Sequence, residues 1–174
     1  MITGFRLAFL FGSLFLAILP RAFANSFPTH GPVVPGTTAC LKRGVAYAPV
    51  NAPLSVKRAI WAANNLRSKP YRWGGGHASF FDRGYDCSGT VSYALAAAGL
   101  LRIPMNSKEL TRFGNRGRGK WITIYARNGH AFAVIAGLRL DTTAWNRRSD
   151  REAPRWQVTN RPPRGFVPRH PEGL

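Results

Sequence analysis

The sequence predicts an α+β domain in which helices come first and an antiparallel sheet follows. Apolar residues recur at helical spacing through 55–67 and again through 87–98. From Trp121 onward the period shortens to alternation, in runs broken at Asn128-Gly129 and Gly137. Helices segregated from strands in this way point to α+β rather than to an alternating α/β chain. Between the two helical segments lies a glycine-rich joint, "YRWGGGHASFFDRGYDCSG" (Tyr71 to Gly89), which places one of only two cysteines where a helix begins.

The elements follow in chain order. Arg6, an apolar run from Leu7 to Leu19, a break at Pro20 and "AFA" at Ala22 to Ala24 read as a signal peptide over 1–24, with cleavage near Ala24. That run is shorter than the roughly 20 apolar residues a spanning helix needs. A secreted or periplasmic protein is therefore expected. Residues 25–54 contain Pro28, Pro32, Pro35, Pro49 and Pro53 without sustained periodicity, and read as an extended arm. A first helix is expected from an N-cap at Ser55 to about Arg67, with Val56, Ala59, Ile60, Ala63 and Leu66 on one face and Pro70 preventing continuation. The second helix should open at Cys87, with Asp86 as its N-cap, and bury one stripe formed by Cys87, Val91, Ala94, Leu95 and Ala98. A short helix over Ser107 to Phe113 closes at Gly114. Trp121 to Ala126, His130 to Ala136 and Leu138 to Thr143 form a meander, so the domain spans 55–143. The basic remainder, 144–174, predicts no element.

The chain carries 25 Lys plus Arg against 7 Asp plus Glu, and removing Arg6 and Arg21 with the leader leaves 23 against 7, a formal charge of +16. Such a surface attracts polyanions. Outside the cytoplasm these are cell-wall polymers and anionic lipid headgroups rather than nucleic acid. The basic tail is the expected contact for both.

The joint carries the chemistry. A helix N-terminus presents unpaired N–H groups and the positive end of the helix dipole, which favour a thiolate and can face the oxyanion formed when it attacks an amide. Such a nucleophile needs a base. Of His30, His77, His130 and His170, only His130 starts a strongly patterned strand. His77 shares the joint with Cys87, and nothing in the sequence fixes its direction. Whether the next tight turn centres on Ala136-Gly137 or Gly137-Leu138, pairing sums to an odd number, so His130 shares a sheet face with Asp141 and Thr143. A carboxylate there can orient the ring. Unpaired burial of Asp141 is costly, so His130 or an arginine should lie beside it.

"PYRWGGG…FDRGYDCSGTVSYAL" resembles the nucleophile segment of the NlpC family of papain-like bacterial cell-wall cysteine peptidases, and "GHAFAVIAG" resembles that family's histidine strand. The similar region runs from about Ser55 to Thr143. The resemblance implies a papain-like domain with Cys87 as nucleophile, His130 as general base and Tyr71 beside the nucleophile, assisting substrate or oxyanion binding. Many members carry His, Asn or Gln as the third polar residue on the strand after the histidine strand. Here that strand offers Asp141, with Thr142 and Thr143 beside it. The implied activity is an endopeptidase cutting amide bonds in peptidoglycan stem peptides, next to a D-amino acid and most often between D-glutamate and the diamino acid. It requires no metal or organic cofactor. A catalytically idle wall- or polyanion-binding module of the same fold, and an amidase or acyltransferase on the same triad, are the competing readings.

The even cysteine count in an oxidising compartment also allows a Cys40–Cys87 disulfide. The Asp-Cys-Ser-Gly context at a helix start favours the free nucleophile, leaving Cys40 without a role. Trp73 is expected to pack beneath the turn, Asp86 to cap the helix, and Asp82 to be a solvated loop acid outside the site.

Overall fold

The computed structural model describes residues 26–143, 153–158 and 163–174. The expected leader and parts of the basic tail lie outside the described residues. The architecture is α+β: β1 (Val33–Val34), β2 (Cys40–Lys42), β3 (Val45–Pro49), α1 (Leu54–Asn64), α2 (Cys87–Ala97), α3 (Ser107–Leu110), β4 (Asn115–Arg116), β5 (Ile122–Arg127), β6 (His130–Ile135), β7 (Leu138–Asp141), β8 (Arg155–Gln157) and β9 (Val167–His170).

The first helix begins earlier than expected, since Pro53 rather than Ser55 occupies the cap position and no side chain caps it. Proline's fixed φ suits the approach to a first turn. The α-helix ends at Asn64 and tightens into a 3₁₀ turn, Asn65–Ser68, before Pro70. Val56, Ala59, Ile60, Ala63 and Leu66 are all buried. Burial of α2 is not confined to one stripe: every residue from Cys87 to Leu95, and Ala97, is buried. Its small side chains let α1 approach on one side and β6 and β7 on another. Helix α3 stops at Leu110, short of Phe113, and carries a capping box in which Asn106 and Glu109 satisfy each other's backbone N–H groups.

The described part of the expected arm, 26–54, is not a free arm. Strand β3 pairs in parallel with β1 and antiparallel with β2, and Ala39, Ala46, Ala48 and Ala52 join the core. The Asn64 side chain clamps this sheet to α1, accepting from the Ala46 N–H at 2.8 Å and donating to its carbonyl at 2.9 Å. Prolines fit because Pro49 ends its strand and Pro32 precedes one.

The three expected strands form the centre of a six-stranded sheet ordered β4-β9-β5-β6-β7-β8. The remaining strands come from segments without a readable pattern, β8 and β9 among them. Arg169 in β9 is buried, and its guanidinium donates to the carbonyl oxygens of Arg112, Phe113 and Gly114. Trp156 in β8 is buried and donates to Asn64 Oδ1 at 3.0 Å. Ala136 and Gly137 both adopt positive φ, 48° and 91°, a two-residue hairpin turn that sets Ile135 opposite Leu138. The odd sum follows, and with it the shared face of His130, Asp141 and Thr143.

Candidate active site

Cys87 is the first residue of α2, so its N–H has no acceptor within the helix. Asp86 holds the helix start: its carboxylate accepts from the N–H of Gly89 at 2.7 Å and of Gly74 at 3.2 Å, and from Ser88 Oγ at 3.1 Å. The glycine turn is thereby fastened to the helix it precedes. Gly89 is required for contact rather than conformation, because a Cβ there would overlap the Gly75 carbonyl oxygen. Tyr71 bridges Tyr85 on the segment leading into the helix. Tyr71, Trp73, His77, Cys87, Asn106 and Gly129 are among the residues lining a small cleft of about 220 Å³ over the sulfur.

The sheet supplies the imidazole. His130 opens β6 immediately after the Asn128-Gly129 turn, with its ring close enough to the Cys87 side chain for the two to influence each other electrostatically. His130 Nε2 lies 3.0 Å from Asp141 Oδ1 and 3.2 Å from Thr143 Oγ1, which leaves Nδ1 as the ring nitrogen for the sulfur. Asp141 is fully enclosed and accepts from every side: from Arg139 Nε at 2.8 Å and its Nη2, and from the N–H groups of Thr142 and Thr143 at 2.7 and 3.1 Å. Arg139 is itself buried, its guanidinium 3.5 Å from the Phe132 ring centroid. Burial is the largest single influence on His130 and pushes its pKa down, but bonds and charge from Asp141 and Cys87 outweigh it and raise the pKa to about 9. Burial likewise pushes Asp141 up, and His130 and Arg139 together reverse this and hold its carboxyl below the usual range. The two shifts agree in describing an imidazolium paired with a carboxylate.

The geometry brings Cys87, His130 and Asp141 together and sets Tyr71 at the cleft. No disulfide links the cysteines: Cys40 is a free thiol in β2, and Cys87 is free and buried. Two expectations at the joint need correction, and one direction that the sequence left open is fixed. Trp73 does not pack beneath the turn; it is 83% exposed at the rim of the cleft, because the space under the glycines is filled by the Tyr85 ring and the Gly89 backbone. Asp82 is a structural acid, accepting from the N–H of Gly76 at 3.0 Å and of Arg83 at 2.6 Å; these bonds, Gly76 first, hold its carboxyl below the usual range. His77 has a fixed direction, with Nε2 3.0 Å from both Asp86 oxygens and 3.2 Å from Ser88 Oγ.

Arg139 was legible by parity, since it shares odd numbering on β7 with Asp141, whereas the His77–Asp86 pair spans an irregular loop that no periodicity describes. Among the described residues, no cluster of three or more His, Cys, Asp or Glu side chains could hold a metal. No helix among the described residues is long and apolar enough to cross a membrane. Residues 68–142 match the model of the NlpC/P60 family, in agreement with the likeness read from the two motifs. No curated protein matches the chain.

Proposed function

We propose, proceeding from an NlpC/P60-type domain of cell-wall hydrolase lineage, that this protein is a peptidoglycan endopeptidase working through Cys87, His130 and Asp141. One arrangement carries the reading: a sulfur at a helix N-terminus beside an imidazole whose Nε2 is held by a buried carboxylate. Cys87 Sγ attacks the carbonyl carbon of a stem-peptide amide, forming a carbon–sulfur bond and a tetrahedral oxyanion. The Cys87 N–H, at the positive end of α2, and Tyr71 at the cleft stabilise that oxygen. The imidazolium then donates its proton to the leaving nitrogen as the C–N bond breaks. Water, deprotonated by the neutral ring, hydrolyses the thioester to a carboxylic acid and restores the thiol. Asp141 keeps the ring oriented and stabilises its protonated form; Arg139 balances the charge beneath it.

The protein acts outside the cytoplasm, where its substrate lies, after removal of 1–24. Its positive surface supports binding to anionic wall polymers. Incubation of the protein with purified sacculi should release muropeptide fragments identifiable by mass, and Cys87→Ala should abolish their release. Undiminished release by Cys87→Ala removes the nucleophile. Binding to sacculi without any release supports an idle module instead.

A further inference from the structure

A second cavity, of about 620 Å³, is lined by His130 and shares Gly129 with the cleft over the sulfur. Arg127, Arg139 and Arg164 line it together with His130 and Phe166. Arg139 is spent on Asp141. Arg127 and Arg164 are exposed and form no ion pair among the described residues. Arg127 lies over the Phe166 ring, 4.7 Å from its centroid, and that ring packs edge-on against His130 at 5.9 Å. The stacked ring limits the freedom of the Arg127 guanidinium and positions it near the imidazole. No acidic side chain lines this cavity among the described residues, and Arg127 and Arg164 are its two cations without an ion pair among those residues.

Where the leaving group sits follows from the chemistry. The imidazole must reach the departing nitrogen to protonate it, so the part of the substrate beyond the broken bond passes over His130. The arginine cavity, lined by His130 and adjoining the cleft at Gly129, lies in reach of that path. We propose that it is the subsite for the leaving half of the substrate, where Arg127 and Arg164 bind a free carboxylate and Phe166 supports the adjoining carbon chain. This rests on the hydrolase reading for its orientation, and it selects fragments ending in a free carboxylate over amidated or extended ones.

The test uses Cys87→Ala protein and two synthetic probes, L-alanyl-γ-D-glutamyl-L-lysine and its C-terminal carboxamide, compared by titration calorimetry. The acid should bind roughly tenfold more tightly than the amide, the factor one charge-assisted hydrogen bond supplies. Adding Arg127→Gln and Arg164→Gln should bring the ratio close to one, and Arg127→Lys with Arg164 intact should keep most of it. Melting curves verify that the variants are folded. Equal affinities in the Arg-intact protein, or a ratio that survives both glutamines, overturn the assignment. Sacculus cleavage by the unaltered protein separates the two ideas. Cleavage with a ratio of one removes the arginine subsite alone, whereas an arginine-dependent ratio without cleavage keeps the carboxylate site and removes the hydrolase reading.

Discussion

Replacing Asp141 by asparagine should lower the His130 pKa and remove a pH-dependent part of the protein's stability. In the folded protein His130 titrates at about 9 against an ordinary 6.5. A difference of that size corresponds to about 3 kcal/mol favouring the charged ring. The His130 side chain is 20% exposed, so solvent screening reduces the figure only modestly. Because the folded value is raised, the stabilisation is fully present below about pH 6.5 and is lost as pH rises through about 9. In Asp141→Asn, burial is opposed only by Cys87, and the midpoint should fall toward or below 6.5. NMR titration of the imidazole Cε1–H reads the midpoint directly, and urea denaturation at pH 6 and pH 9.5 reads the stability difference. The alkaline limb of kcat/KM on sacculi should move down with the midpoint, since the leaving nitrogen needs the protonated ring. The substitution strands the buried Arg139 guanidinium, at a cost of about 3–5 kcal/mol, so Asp141→Asn combined with Arg139→Met keeps the measurement possible if the single variant unfolds. A His130 midpoint that stays near 9 in either variant refutes the electrostatic account.

Gly89→Ala should destabilise the domain by about 2 kcal/mol or more, because the new methyl meets the Gly75 carbonyl rather than a side chain that can move; an unshifted urea midpoint with undiminished Cys87 reactivity contradicts the packing described. Arg169→Met should cost about 2 kcal/mol by removing the charged donor shared by the Arg112, Phe113 and Gly114 carbonyl oxygens. No change in melting would mean that β9 is not docked in solution. Iodoacetamide at neutral pH should label Cys87 ahead of Cys40 by mass mapping, and His130→Ala should slow that labelling about tenfold or more through loss of the ring beside the sulfur. Preferential labelling of Cys40 would point to a different reactive thiol.

What could be read from the sequence depended on how local the determining contact is. The His130–Asp141 pairing needed only a two-residue turn and the period of a strand, because once Ile135 faces Leu138 every odd position of β7 is committed to the histidine's face. The helix start was equally local, since Asp86, Cys87 and Gly89 stand within one turn of each other. Strands β8 and β9 are different. Their residues, Arg-Trp-Gln and Val-Pro-Arg-His, are too few and too polar to show alternation, and they become strands only by pairing with β7 and β5, whose edges would otherwise be open. The proline-rich segment 25–54 was misread for the same reason: its strands are short and its alanines bury little area individually, so the fold shows only in what they pack against.

The distant segments nevertheless bear on the local chemistry. Strand β8 sets Arg155 opposite Asp141, and Gln157 donates to the Thr143 carbonyl at 2.9 Å, which converts the carboxylate-bearing strand from an edge into an interior strand. Asp141 is only 1% exposed in consequence. A carboxylate shielded in this way interacts with an imidazole far more strongly than one in water, and this is what lets the ring stay protonated despite its own burial. The basic tail is therefore part of the site's electrostatics as well as of the protein's surface charge, and the catalytic reading of His130 depends on residues that carry no catalytic motif.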